Sequence, residues 1–163
     1  MRSNSEIDGD IKRGISEHRS SHVVRVSLIE MPEAAPEAVS APRVLVIEDE
    51  RDVCELLTEF LADNGFDAVC VESDERAYQV LRQSPPFACI VVDVNLGRGT
   101  TGYDVARYAR QLAPQAPVIY VSGQTSQASF RANGVAGSLF LPKPFTGAEL
   151  LHRLRMLVGD NDV

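Results

Sequence analysis

The stretch Cys89-Ile90-Val91-Val92-Asp93-Val94-Asn95-Leu96 decides how this chain should fold. Four apolar residues run directly into the carboxylate of Asp93, and a glycine-rich segment follows at 97–102. An uninterrupted apolar run of this length is typical of a strand buried on both faces, as in a parallel sheet covered by helices. Ligands bind just beyond the carboxyl ends of such strands. Asp93 is therefore a candidate functional residue, although on its own it is explained equally well as the start of a turn.

The same pattern recurs on both sides of this stretch. Apolar strand signals occur at 44–47, 66–71, 118–121 and 138–141, and segments with helical spacing separate and follow them. The sequence thus predicts five strands that alternate with five helices over about 120 residues. Strict alternation of this kind predicts an α/β fold, a doubly wound parallel sheet with right-handed crossovers.

Three of the predicted helices have informative sequences. The first presents an apolar face made by Val53, Leu56, Leu57, Phe60 and Leu61, and Gly65 should end it. The fourth, at 126–133, has only Phe130 as a large anchor and is predicted to be short and marginal. The fifth should begin at a capping box made by Thr146 and Glu149.

Chain length and composition set the domain organisation. The 163 residues suit one domain with some excess. We expect the domain at 43–158, a short tail at 159–163, and an N-terminal extension at 1–42 that is mostly disordered or a loosely packed linker. A short strand at 22–29 is possible, and Met31 is an alternative translation start.

Charge and cysteine usage narrow the functional class. The net charge of -7 argues against nucleic-acid binding, and no apolar run approaches the length of a membrane span or a secretory signal. Cys54, Cys70 and Cys89 each lie in an apolar segment, so they are predicted to be free, buried thiols, neither a disulfide framework nor a metal site. These features predict a soluble, cytoplasmic protein.

Polar residues follow four of the predicted strands: Glu48-Asp49, Asp93, Ser122 and Lys143. Carboxylates that lie close together stay ionised only when a cation compensates them. Mg²⁺ is the expected ion because it prefers hard oxygen ligands, and Mn²⁺ is an alternative. A carboxylate can form an acyl phosphate, whose oxygens a lysine and a hydroxyl can bind. The set therefore indicates metal-dependent phosphoryl chemistry.

From Arg43 to Leu157 the chain resembles the receiver domains of two-component response regulators, the family of the chemotaxis receiver. The resemblance covers about 115 of the 163 residues. It rests on four motifs in the family's order: 44–50 (VLVIEDE), 91–96 (VVDVNL), 118–123 (VIYVSG) and 142–145 (PKPF). It implies a flavodoxin-like sheet with strand order 2-1-3-4-5.

The resemblance also implies a role for each site residue. By this resemblance Asp93 is the phospho-acceptor, and the metal ligands are Asp49, Asp93, the backbone carbonyl of Asn95 and, through water, Glu48. Ser122 and Lys143 are expected to bind the phosphoryl group, and Phe140 to be the switch aromatic. Pro144 is the expected cis-proline, and Asn95 and Gln124 are expected to tune dephosphorylation.

Two features depart from the family pattern. Glu48 replaces the commoner Asp, and the loop after Asp93 lacks a proline and is one residue longer, so its glycines should make it more mobile.

The resemblance implies a signalling protein and not an enzyme in the ordinary sense. Its expected partners are a histidine kinase or phosphotransfer protein and a downstream protein that binds the face from Ser126 to Leu157. We expect neither nucleic acid nor membrane as a partner, and a monomer or weak dimer. Because no output domain fits after the last predicted helix, a stand-alone regulator is expected.

Two alternatives stay open at this point. A haloacid-dehalogenase-type phosphohydrolase also uses an aspartate, a hydroxyl and a lysine around Mg²⁺. Such enzymes normally carry a second aspartate two residues after the nucleophile, where this chain has Asn95. The other alternative is a receiver-shaped interaction module that never takes phosphate, and the complete set of site residues argues against it.

Overall fold

The structure is a computed structural model that describes residues 40–84, 86–97 and 100–159. The predicted disordered segment, the possible strand at 22–29, most of the linker before 43 and the last residues of the tail lie outside the described residues. So do Arg98 and Gly99 of the glycine-rich loop.

Five strands and five helices alternate along the described chain, as predicted. In chain order they are β1 (Arg43–Ile47), α1 (Arg51–Asp63), β2 (Asp67–Val71), α2 (Asp74–Gln83), β3 (Cys89–Asp93), α3 (Gly102–Leu112), β4 (Val118–Ser122), α4 (Gln127–Asn133), β5 (Leu139–Pro142) and α5 (Gly147–Val158). All neighbouring strands are parallel, and their order is β2-β1-β3-β4-β5. The flavodoxin-like fold class is confirmed.

The central strand β3 is buried along its whole length because helices cover both faces of the sheet. Its side chains alternate between two cores. Ile90 and Val92 face the core beneath α2 and α3, whereas Cys89 and Val91 face the core beneath α1 and α5. Each fully buried Val or Ile side chain contributes about 1.5–3 kcal/mol of hydrophobic free energy. This two-sided burial fixes the strand register and therefore the position of Asp93.

Two capping boxes define the starts of α3 and α5. At α5, the Thr146 N–H donates to Glu149 Oε2 at 2.7 Å and the Glu149 N–H donates to Thr146 Oγ1 at 3.2 Å, as predicted. Thr101 and Asp104 form the second box, which the sequence analysis missed. Hydrogen bonds from the cap residues lower the pKa of both Glu149 and Asp104. Among the helices that the structure describes, none combines the length and the apolar character that a bilayer span requires.

The predicted apolar face of α1 was wrong at one position. Leu57 and Leu61 are buried against the sheet, but Leu56 is 66% exposed. Successive helical residues point about 100° apart, so Leu56 turns away from the sheet where Leu57 faces it. The Leu56 side chain instead lines a surface groove between α1 and the β5–α5 connection.

The prediction of three free thiols was also wrong. Cys54 of α1 and Cys70 of β2 form a disulfide, with 5.8 Å between their Cα atoms. Each cysteine lies in an apolar segment, and that local signal does not show that α1 packs back over β2 and brings the two together. Cys89 is a free, buried thiol, as predicted.

Both ends of the described domain lie at the same edge of the sheet. Pro42, which precedes β1, accepts a hydrogen bond from the Asp67 N–H at the start of β2, so the chain enters at the amino ends of the strands. Because α5 runs back after β5, its last residue, Val158, returns toward that edge. The residues predicted to form the site lie at the opposite, carboxyl edge.

Candidate functional site

The carboxyl edge of the sheet brings together the predicted acids, hydroxyl and lysine. Asp93 and Ser122 end β3 and β4, while Glu48 and Lys143 lie directly at the ends of β1 and β5. One carboxylate oxygen from each of Glu48, Asp49 and Asp93 lies within 4.8 Å of the others. The predicted cluster therefore forms, because β1 and β3 are adjacent at the centre of the sheet.

Lys143 bridges the two buried acids of this cluster. Its ammonium donates to Glu48 Oε2 at 2.7 Å and to Asp93 Oδ2 at 2.6 Å. The Glu48 residue is 1% exposed and Asp93 is 7% exposed, so this ion pairing is largely shielded from water. The Lys143 N–H also donates to the Ser122 carbonyl at 2.9 Å, and the Lys143–Pro144 peptide is cis, as predicted.

Burial and charge shift the pKa values of this pair in ways that follow from its geometry. Burial raises the pKa of Glu48, and the hydrogen bond from Lys143 only partly offsets that rise. Burial alone would lower the pKa of Lys143, but its hydrogen bonds to Asp93 and Glu48 outweigh that effect and place its pKa above the ordinary value. The lysine is therefore firmly cationic.

The donor set fits a hard divalent cation. With all groups ionised, the three carboxylates and the single ammonium leave an excess of negative charge. Asp49 is exposed and unlike Glu48 and Asp93 does not pair with Lys143, so its oxygens face solvent. Several carboxylate oxygens beside open solvent match the preference of Mg²⁺ for a few carboxylates plus water.

Both oxygens of Asp93 are held in place. Oδ1 accepts a hydrogen bond from the Asn95 N–H at 2.8 Å, and Oδ2 accepts the one from Lys143. Gly102, the first residue of α3, packs directly against the Asp93 carbonyl, where a Cβ atom would overlap the backbone. A side chain on Gly97 would likewise come within 3.0 Å of Asp49 Oδ2. These close approaches explain why glycine occupies positions 97 and 102.

The Ser122 hydroxyl sits in a network that the sequence analysis missed. Its Oγ accepts from Asn95 Nδ2 and from the Thr125 N–H, both at 3.1 Å, and donates to Thr125 Oγ1 at 3.1 Å. The Gln124 N–H lies 3.3 Å from the same oxygen, while the Gln124 residue is exposed. The only sequence signal was a hydroxyl residue three positions after Ser122, which is typical of a side-chain-bonded turn.

Phe140 lies inside the fold and contacts α4. Its ring stacks on Phe130, with 5.3 Å between the centroids, and Phe130 in turn contacts the Tyr120 ring at 5.8 Å. The Tyr120 hydroxyl accepts a hydrogen bond from the Val135 N–H in the α4–β5 connection. This aromatic chain links β4, which carries Ser122, to β5 through the helix between them.

The comparisons with known proteins agree with this geometry. Residues 44–155 match the model of the response regulator receiver domain. Response regulator MprA of Mycolicibacterium vanbaalenii is 32% identical over 117 residues, which cover 71% of this chain and 50% of that protein. A response regulator receiver protein from Sinorhizobium medicae aligns with a TM-score of 0.70 and 30% identity, covering 77% of this chain and all of that one.

A more distant structural neighbour shares the fold. The receiver domain of the sensor histidine kinase PA1611 from Pseudomonas aeruginosa aligns with a TM-score of 0.64 and 22% identity, covering 74% of this chain and 99% of that one. That structure is described as holding a magnesium ion in its active-site cleft.

The chain belongs to the response regulator receiver domain family, the signalling modules of two-component systems. It spans about half the length of the curated relatives that it matches.

Proposed function

We propose that Asp93 accepts a phosphoryl group, in a Mg²⁺-dependent manner, from a histidine kinase or phosphotransfer protein. The observation that carries this proposal is the position of Asp93 at the end of the buried strand β3, with one oxygen bound to the Asn95 N–H and the other to Lys143. Two further carboxylates lie beside it. The unit proposed to perform this function is the domain at 43–158, acting in the cytoplasm.

In the proposed reaction an oxygen of Asp93 attacks phosphorus, the phosphorus–nitrogen bond to the donor histidine breaks, and an acyl phosphate forms. Asp49, Asp93 and the Asn95 carbonyl would hold Mg²⁺ or Mn²⁺, and Glu48 would act through water. When bound, the cation neutralises charge on the carboxylates and the transferred group. Lys143, which already lies beside Asp93, pairs with one phosphoryl oxygen. The Ser122 hydroxyl donates a hydrogen bond to another phosphoryl oxygen. Asn95 and Gln124 set the rate of dephosphorylation.

The proposed switch runs from Ser122 through the aromatic chain to α4. If the Ser122 hydroxyl turns toward the phosphoryl group, its bond to Thr125 is lost and the β4–α4 connection must adjust. Phe130 and Phe140 then repack, because Phe130 joins α4 to both β4 and β5. The surface from Ser126 to Leu157 would carry this change to a protein target. The net charge of -7 supports a protein, not a nucleic acid, as that target.

The phosphodonor is proposed to dock on the apolar groove beside the site. Leu56, Phe60, Pro144 and Phe145 line this groove together with Lys143, and its volume is about 610 Å³. A partner seated there is next to the lysine that contacts Asp93. A Leu56→Ser variant should accept phosphate from a partner kinase more slowly than the wild type while reacting normally with acetyl phosphate.

The decisive experiment is labelling with acetyl phosphate in the presence and absence of Mg²⁺. Wild-type protein should be labelled only with Mg²⁺, Asp93→Asn should not be labelled, and Asp63→Asn, which changes an exposed acid at the end of α1, should match the wild type. Equal labelling of wild type and Asp93→Asn would refute the proposal. Absence of labelling in every protein would leave an interaction module, and sustained turnover of phosphomonoesters would indicate a phosphohydrolase.

A further inference from the structure

The disulfide between Cys54 and Cys70 connects the start of α1 to the edge strand of the sheet. β2 pairs only with β1, so one of its edges has no strand beside it in the described structure. The Cα atoms are 5.8 Å apart, within the ordinary range for a disulfide. The bond therefore joins two elements that are otherwise held by side-chain packing.

Both cysteines line a surface depression of about 400 Å³, together with Glu55, Glu59 and Glu72. Cys70 is only partly buried and is the more accessible of the two, whereas Cys54 is 5% exposed. Cys89 differs, because it is fully buried in β3, where burial raises its pKa to about 12. It serves as an internal control for thiol reactivity.

The disulfide joins α1 and β2, the two elements that also form backbone hydrogen bonds to the loop carrying Glu48 and Asp49. The Cys54 N–H donates to the Glu50 carbonyl at 2.9 Å, and the Glu48 N–H donates to the carbonyl of Val71, the neighbour of Cys70, at 3.1 Å. Residues 48–50 are therefore enclosed between two backbone hydrogen bonds, with the disulfide connecting the elements beyond them. Breaking it should loosen the segment that holds Glu48 and Asp49.

We propose that Cys54 and Cys70 form a reversible redox site that controls the mobility of the acid loop and that reacts preferentially with cationic low-molecular-weight disulfides. In the oxidising step, one cysteine thiolate attacks the reagent disulfide and releases the first reagent thiol. The second cysteine then attacks the mixed disulfide and releases the other. Two protein thiols and one reagent disulfide become one protein disulfide and two reagent thiols.

The charge of the depression gives the expected selectivity. Its three glutamates carry negative charge, and only Glu55 pairs with a cation in the described structure, Arg51 at 2.9 Å. An anionic reagent is repelled and a cationic one attracted, and such a field changes encounter rates by about tenfold or more at low ionic strength. Salt should reduce the difference because these charges are exposed.

The first test measures thiols in the full chain. Fully reduced protein is treated with dicationic cystamine or anionic oxidised glutathione, denatured and alkylated. Reduced protein has three reactive cysteines and oxidised protein has one, Cys89. We expect intramolecular oxidation, reversal by dithiothreitol in the folded protein, and oxidation about tenfold faster with cystamine at low salt.

Matched variants identify the bond. Cys54→Ala and Cys70→Ala should each abolish intramolecular oxidation, whereas Cys89→Ala should oxidise like the wild type. Disulfide-linked dimers in place of the intramolecular bond, a bond that dithiothreitol cannot reduce without denaturant, or equal rates with the two reagents would overturn the proposal.

The second test is hydrogen exchange of the oxidised and reduced wild-type protein. Amides at 48–54 and 67–71 should exchange more slowly in the oxidised form, and amides of α5 should not change. Identical exchange at 48–54 would refute the control of the acid loop. Neither test uses phosphorylation, so failure of the redox site and failure of Asp93 as phospho-acceptor are distinguished.

Discussion

Lys143 Nζ lies 2.6 Å from Asp93 Oδ2, although the two residues are 50 positions apart in the chain. The same ammonium binds Glu48, so one cation serves both acids that are withdrawn from water. Without a bound metal, this lysine is the charge that makes the burial of the two carboxylates tolerable. One lysine thus balances only part of the negative charge that Glu48, Asp49 and Asp93 carry when all three are ionised.

Replacement of Lys143 by Met should destabilise the metal-free protein. Removing one partner of a buried ion pair leaves the remaining charges uncompensated, at a cost of about 3 kcal/mol. Urea unfolding at neutral pH in the presence of a chelator should show this loss, and Mg²⁺ should partly restore stability by supplying charge. Arg51→Gln, which breaks only the exposed pair with Glu55, should change stability little with or without Mg²⁺. An unaltered urea midpoint for Lys143→Met would contradict the role of the lysine.

Gly102→Ala should distort the end of β3. The added Cβ would overlap the Asp93 carbonyl and come within 2.9 Å of Val92 Cγ2, and backbone cannot move aside cheaply. We expect a loss of about 2–3 kcal/mol in the free energy of unfolding, together with slower phosphorylation. Gly123→Ala is the matched control, because its nearest contact would be an ordinary 3.7 Å from Lys143 Cβ. Equal unfolding free energies for the two variants would show that the close packing is unimportant.

Thr125→Val should make the Ser122 hydroxyl easier to redirect. In the present structure that hydroxyl donates to Thr125 Oγ1, and Val removes the acceptor while keeping the shape. A neutral hydrogen bond is worth about 1 kcal/mol, so the phosphorylated arrangement should be favoured by roughly fivefold. Labelling with acetyl phosphate should rise accordingly, and Thr125→Ser should behave like the wild type. Equal labelling of Thr125→Val and wild type would argue against this hydroxyl as a restraint.

Helix α4 should open more readily than the strands. None of its seven residues is fully buried, and its main anchor is Phe130. Arginines of α3 assist, since Arg107 and Arg110 donate to the carbonyls of Asn133 and Ala136. Hydrogen exchange should be much faster at 127–133 than in β3, and Phe130→Ala should accelerate it further. Protection of α4 equal to that of the core strands would exclude it as the moving element.

Stability should fall at alkaline pH through Cys89. Burial raises the pKa of this thiol from 9.0 to about 12, so the folded state favours the protonated form. The resulting stabilisation is complete below the pKa of the thiol in the unfolded state and is lost as the pH rises through its pKa in the folded state. In that window the free energy of unfolding should fall with a slope that approaches about 1.4 kcal/mol per pH unit. Urea unfolding with reductant present should show a shallower slope for Cys89→Ala, and parallel slopes would contradict the assignment.

The sequence was informative where local signals determine tertiary position. Buried apolar runs identified β1, β3 and β4, and parallel topology then required their carboxyl ends, with Glu48, Asp93 and Ser122, to meet at one edge. The second capping box at Thr101 was readable but overlooked. The pairing of Cys54 with Cys70 was not readable, because it depends on how α1 lies over β2. The bond from Lys143 to Glu48 likewise depends on the depth at which each side chain enters the site.

The arrangement of the chain ends has a consequence for how this domain can be used. Pro42 and Val158 lie toward the amino edge of the sheet, while the acids and Lys143 occupy the opposite pole. A fluorescent protein, a surface anchor or another folded unit attached at either end would leave the site facing away from the attachment. The domain can therefore be tethered through either end while its acidic site stays open to a partner.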